Sequence, residues 1–314
     1  MKISITFFLL GSILFSSIIG CNSTNKDADG VISSESSSEN NDVKTRNLTE
    51  EFKGYWYEGK AELTSYTIEQ ARYGELREGT AVTIFVTEDF LPEAQVKADN
   101  ISEENIPVLK LNSTKNFLTG IYPYSIMTST FSPLETEDHA IKVTNSVQEW
   151  CGHVFAQLNN RKKYEVESHS YFQNEADQSL TLPKTWLENE FWNLIRINPE
   201  ELPTGEFEVI PAFEYLRLHH KEVKAYPAML SLKQGDSLSS FKVVYPELQR
   251  DLVIYFSSDF PYEIEKWEET ARSGFGEDAK TLTTTATKLK RIKTAYWQQN
   301  QTKHEVLRDS LGLN

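Results

Sequence analysis

The stretch QEWCGHVF, Gln148 to Phe155, sets a thiol and an imidazole two positions apart, at Cys151 and His153. Thiolate and imidazole are good ligands for zinc or copper. A thiol beside a histidine is also the pairing that makes a cysteine nucleophilic. A second imidazole, His169, follows in the alternating run Tyr164 to Phe172. In extended backbone, successive side chains face opposite sides. The odd positions hold the polar groups: Glu149, Cys151 and His153 in the first run, Glu165, Glu167 and His169 in the second. The even positions, among them Trp150, Val154, Ala156, Leu158, Tyr164 and Val166, are more apolar and are expected to face a core. A turn centred on Arg161 keeps that parity, with His153 opposite His169 and Cys151 opposite Tyr171. One face of the hairpin then carries Glu149, Cys151, His153, Glu167 and His169. These residues fit a metal site, a thiol-dependent site, or plain packing, since free cysteine is often a small buried apolar residue. A dithiol redox motif does not fit, because position 154 is Val where the second cysteine would stand.

No other cluster is stronger. His219 and His220 read as strand neighbours facing opposite sides, so they cannot share a metal. No G-x-S-x-G, H-E-x-x-H or P-loop pattern occurs. No catalytic residue and no cofactor is therefore assigned, with a metal on the Cys151 face as the alternative.

The first residues fix the expected compartment. Lys2 precedes an apolar run, Ile5 to Ile19, and then Gly20-Cys21. A charged start, a short apolar stretch and small residues form a secretory signal; the run falls short of the roughly 20 apolar residues of a membrane span. Ile-Ile-Gly-Cys resembles the lipobox of bacterial lipoproteins. That resemblance implies a diacylglycerol on the Cys21 thiol, cleavage before Cys21, and acylation of the new amine. One acyl chain binds a bilayer only marginally, whereas several hold firmly. The expected location is the cell envelope, anchored at the outer membrane. With Cys21 lipidated, Cys151 has no internal disulfide partner. Partial burial is expected for it, because an exposed thiol is a liability outside the cytoplasm.

From Asn22 to about Asn47 the chain is rich in Ser, Asn, Asp and Glu. Such a segment buries too little apolar surface to offset its ordering entropy and reads as a tether. Residues 48–314 are expected to form one β-rich domain, with a possible subdivision near Asn198. A net charge of −14 argues against a nucleic-acid partner.

Alternation dominates this part. Expected strands include Tyr57–Arg72, Thr80–Glu88, Ile106–Thr119, Tyr122–Phe131, Val147–Leu158, Tyr164–Phe172, Phe207–His219, Val223–Leu232, Leu238–Val244, Leu252–Phe256 and Thr281–Trp297. PKTWLENEFWNLIRI, Pro183 to Ile197, reads as a helix with Leu187, Phe191, Leu194 and Ile195 on one face and Pro183 in its first turn. Thr302 to Leu311 reads as a short terminal helix. The fold class is mainly β: long antiparallel strands in a strongly curved sheet or open barrel, one central helix and a short C-terminal helix.

Lipobox and tether, followed by GKAELTSYTIEQARYGELREGTAVTIFVTEDF, QEWCGHVFAQLN, the Trp186 helix and LPTGEFEVIPAF, together resemble a family of Bacteroidota lipoproteins. The resemblance covers nearly all of the chain after the signal. Members are sometimes labelled septum formation inhibitor Maf; the nucleotide pyrophosphatases of that name carry an S-x-S-P-R-R-type phosphate loop, absent here. The resemblance implies an anchored envelope protein and brings no activity with it. The expectation is a non-enzymatic lipoprotein that binds a ligand or partner protein through a curved sheet. Its alternatives are a metal- or thiol-dependent enzyme using Cys151, His153 and His169, and a structural component of an envelope assembly.

Overall fold

The structure, a computed structural model, describes residues 44–313. Cys21, the signal and most of the expected tether lie outside the described residues. Near the start of the described residues, Thr45 bridges to Thr136.

The alternating runs become one sheet of 16 strands. After helix α1 (Glu50–Trp56), the chain forms β1 (Ala61–Arg72), β2 (Glu75–Leu91), the short β3 (Val96–Lys97), β4 (Ile106–Thr119), β5 (Tyr122–Pro133), β6 (Lys142–Glu149), β7 (Gly152–Asn160), β8 (Tyr164–Ser170) and β9 (Gln178–Leu182). The second half runs β10 (Trp186–Leu187), helix α2 (Glu188–Ile197), β11 (Gly205–Ile210), helix α3 (Phe213–Leu218), β12 (Tyr226–Lys233), β13 (Leu238–Tyr245), β14 (Arg250–Ser257), β15 (Ile264–Ser273) and β16 (Lys280–Thr294). A 3₁₀ segment, Thr302–Leu311, follows. The first half meanders outward from β1 to β9, and the second meanders back from β10 until β16 pairs with β1. Sheet neighbours are antiparallel except β10 and β11. The sheet is not closed: its edges are β9 and β10, consecutive in the chain. Thr185, between them, links both sides. Its carbonyl accepts from the Tyr164 hydroxyl at 2.7 Å, and its hydroxyl donates to the Glu208 carbonyl on β11.

The sheet curls because α2 is inside it. The Phe191 ring lies 5.1 Å from that of Phe241 on β13. Asn193 donates to the Leu109 carbonyl on β4 and to Ser132 Oγ on β5, each at 2.9 Å. From β13 to β5 is seven strand spacings, about 34 Å if flat. A helix about 10–12 Å across touches both only if the sheet wraps round it.

That enclosure buries the polar side of α2 along with its apolar side. Glu188, Glu190, Asn193 and Arg196 are each no more than 2% exposed. Glu188 accepts from Arg250 on β14 and, at 2.8 Å, from the Tyr245 hydroxyl. Glu190 accepts from the backbone N–H of Leu187 at 2.9 Å and of Ala140 at 2.6 Å, which caps the first turn. Arg196 donates to both oxygens of Glu62 on β1, at 2.5 and 2.8 Å, and lies over the rings of Trp56 and Phe85.

Several expectations are corrected. The helix starts at Glu188, so Pro183 sits in extended chain ahead of it. Phe207–His219 divides into the end of β11 and all of α3. The short terminal helix does fall at Thr302–Leu311, wound as 3₁₀; its Leu311 covers the outer face of β1 beside Ala61 and Leu63.

The Arg196–Glu62 pair yields a test. Burial alone would push the Glu62 carboxyl up, but the Arg196 guanidinium and the hydrogen bonds of Arg196 and Tyr55 hold it down, to about 2. A carboxyl depressed on folding contributes stability above its unfolded pKa, and that contribution is lost as pH falls through the folded value. Stability should therefore drop between about pH 4.5 and pH 2 in urea denaturation. Glu62→Gln, which leaves Arg196 buried without its counter-charge, should cost about 3–5 kcal/mol and flatten this pH dependence. An unchanged acid limb in that variant would refute the assignment.

Candidate functional site

The hairpin singled out by the sequence exists in a shifted frame. Glu149 ends β6 and pairs with Gly152, the first residue of β7. Trp150 and Cys151 are thus the two residues of a tight turn. Trp150 is 68% exposed, with its ring 6.4 Å from Tyr122, instead of packing in the core. Cys151 is exposed as well, against the expected partial burial. Across the next turn, Asn160 pairs with Tyr164 and Phe155 with His169. The turn is centred one residue past Arg161, so His153 does not face His169 and Cys151 does not face Tyr171. His153 lies beyond the last β7–β8 pair and has Gln148 on β6 as its neighbour. A slip of two residues preserves the faces: Val154, Ala156, Leu158, Tyr164 and Val166 are buried, while His153, Glu167 and His169 are exposed.

The polar face does not converge. Glu149 accepts from the Cys151 backbone N–H at 2.7 Å, and Glu167 accepts from the Ser179 hydroxyl at 2.6 Å. His169 Nδ1 lies 3.3 Å from Asp177. Among the described residues no group of three or more His, Cys, Asp or Glu is placed to hold a metal ion. A hydrogen bond to Glu149 and the charge of that carboxylate push the Cys151 thiol up, the opposite of what a nucleophilic cysteine needs. His219 and His220 follow α3 in a turn rather than alternating on a strand. His219 stacks on Tyr215 at 4.4 Å, and burial pushes its pKa down to about 4. His220 Nδ1 is bonded to Glu175.

The other face of the same hairpin borders a cavity of about 700 Å³. Asn145, Val154, Ala156, Ser168 and Gln178 form its floor on β6 to β9, and α3 with the turn after it forms its roof. The roof is held in place by specific contacts. β11 and β12 pair with each other, and the segment that joins them carries α3. Glu214 accepts from Lys115 on β4 at 2.8 Å, Arg72 on β1 donates to the Leu218 carbonyl, and Phe213 and Leu216 are buried.

Arg217 projects from this roof. It is 6% exposed, with its guanidinium carbon 4.1 Å from the Phe172 ring centroid. Its Nε and Nη1 are buried and have no hydrogen-bond partner among the described residues. Burial pushes its pKa down. The four other buried arginines are partnered. Arg46 binds Glu201, Arg72 binds Tyr124 and a carbonyl, Arg196 binds Glu62, and Arg250 binds Glu188 and Glu269.

A second cavity, about 50 Å³, lies deeper, bordered by Lys115, Glu188, Trp192, Glu214, Arg250, Trp267 and Glu269. A water needs roughly 10–15 Å³ by this measure, so it has room for a few waters. Its charges are already matched: Lys115 with Glu214, and Arg250 with both Glu188 and Glu269.

Arg217 escapes sequence reasoning because FEYLRL alternates as readily as it turns. The one available signal is a lone cation inside an apolar run. Compared with known proteins, the chain matches no family model, no curated protein and no solved structure.

The thiol environment is testable by the rate of labelling with Ellman's reagent. Glu149→Gln removes the carboxylate that raises the Cys151 pKa, so the thiolate fraction at pH 8 and the labelling rate should both rise. A rate unchanged or slower would exclude Glu149 as the cause. Cys151→Ser, at an exposed turn position, should alter stability by no more than about 0.5 kcal/mol.

Proposed function

We propose that this protein is a lipid-anchored, non-catalytic binding protein of the cell envelope that holds a small ligand between β6–β9 and α3. The observation that carries this reading is the cavity of about 700 Å³ on the concave face. Small-molecule sites are typically concave, about 300–1,000 Å³, and mostly apolar with a few placed polar groups. Here Val154, Ala156, Phe213 and Leu216 supply the apolar wall, and Asn145, Ser168, Gln178 and Arg217 supply the polar points. The anchor rests on the lipobox-like residues ending at Cys21. Binding needs no metal and no reactive thiol, in keeping with the scattered partners of Cys151, His153 and His169.

Two measurements test the two halves of the reading. Solvent extraction of protein purified from its native membranes, followed by mass spectrometry, should release a small molecule in near-stoichiometric amount. Ser168→Phe, whose ring would occupy the cavity, should carry far less of it. Equal loading of the two proteins, or none in either, would remove the binding function from this cavity. Separately, Cys21→Ser should abolish palmitate incorporation and move the protein from the membrane to the soluble fraction. A variant that stays membrane-bound would disprove the anchor.

A further inference from the structure

The geometry points to an anionic amphiphile as the ligand of the α3 cavity: a carboxylate or phosphate group set against Arg217, on a body whose apolar part rests against Val154, Ala156, Phe213 and Leu216. This inference rests on the binding function proposed for that cavity and specifies its ligand.

Arg217 is a buried cation whose Nε and Nη1 have no bonded partner among the described residues. A buried cation without a counter-charge or hydrogen bonds is costly, and the other buried arginines avoid that state. Arg217 alone has two buried N–H groups without a partner among the described residues, and it lines the cavity of about 700 Å³. The charges of Glu175 and Glu149 reach Arg217, but neither carboxylate bonds to it: Glu149 accepts from the Cys151 N–H. Glu175 is bonded to His220 and to the Ser170 hydroxyl, and Glu222 pairs with Lys224. Lys221, on the same wall, makes no salt bridge among the described residues. The cavity wall therefore keeps open cationic donors, on Arg217 and Lys221, that no carboxylate binds among the described residues. The chemistry of the open group is specific. A guanidinium presents a planar fork of donors that fits a carboxylate or phosphate with two parallel bonds. The Phe172 ring at 4.1 Å fixes the plane of that fork. Elsewhere in the lining, Val154, Ala156, Phe213 and Leu216 suit hydrocarbon or an aromatic ring, while residues such as Asn145 and Gln173 leave room for polar groups on the same ligand.

The test uses the full-length protein and four probes: phenyl phosphate, 3-phenylpropionate, the neutral 3-phenylpropanol, and inorganic phosphate. Affinities are read by calorimetry for the natural sequence, Arg217→Met and Arg217→Lys. An anionic aromatic probe should bind at least about tenfold more tightly than the neutral one, the size expected of a charge-assisted bond. Arg217→Met should reduce that preference to nothing, and Arg217→Lys should keep part of it. Which anionic probe binds tighter distinguishes a carboxylate from a phosphate ligand. Thermal melting supplies a readout that a purely structural arginine would not give. Removing an unmatched buried cation should raise the Tm of ligand-free Arg217→Met by about 2–4 °C per kcal/mol recovered. Equal binding of neutral and anionic probes, a preference that survives in Arg217→Met, or a lowered Tm in that variant would each overturn the anion assignment. In the first two cases the cavity remains a binding site. Binding of inorganic phosphate alone, with no aromatic probe held, would overturn the amphiphile. Absence of binding by all four would overturn this inference and count against the cavity itself.

Discussion

The structure turns on one constraint: four polar side chains of α2, Glu188, Glu190, Asn193 and Arg196, are inside the protein. A helix enclosed on all sides is normally apolar all round, but this one carries two carboxylates, an amide and a guanidinium into the interior. Leaving any of them unmatched would cost kilocalories. Each is met from a different part of the sheet: Glu188 from β13 and β14, Glu190 from the segment before β6, Asn193 from β4 and β5, and Arg196 from β1. Hydrophobic contact alone would tolerate the helix at many rotations. These pairings accept one. They also tie the outgoing and returning halves of the meander to a common axis, which is how an unclosed sheet keeps a fixed curl.

Among the buried arginines Arg217 is the exception that carries information. Chains tend to satisfy their buried polar groups throughout and break the rule at sites of function. Here the interior that matches Arg196 and Arg250 with carboxylates leaves Arg217 facing a void. The roof that holds it is short, and it is pinned by Lys115–Glu214 and by Arg72 at its end. The guanidinium is thus held by contacts made elsewhere on α3. The floor below is the even-numbered face of the hairpin that first drew attention, while the odd-numbered face, with Cys151 and His153, points to solvent.

Much of this was legible as alternation. The limits of β4 and the starts of β5 and β13 follow from period-two patterning between turn residues, and the existence of α2 follows from Phe191, Leu194 and Ile195. The failures have physical causes. In β15 the buried residues Ile264 and Trp267 are three apart, because the pairing with β14 shifts between Tyr255 and Phe256; an irregularity of this kind breaks the period that sequence reading relies on. At six residues, α3 is too short for helical periodicity to stand out from alternation. Trp150 looked like a core residue because the turn that exposes it contains no proline, and its one neighbouring glycine lies just past it. The cavity was not legible at all, since it depends on α3 crossing strands far from it in sequence.

The order of strands has a consequence for a chain still being made. β1 gains its partner on one side at once, from β2, but its other side waits for β16, the last strand of the sheet. Until residues 280–294 arrive, a 12-residue strand at the middle of the future sheet is an unprotected edge, the kind of surface on which chains aggregate. The finished molecule places its two permanent edges between strands that are consecutive in the chain, where Thr185 bridges the sides. Its exposure to misassembly therefore belongs to synthesis rather than to the folded state.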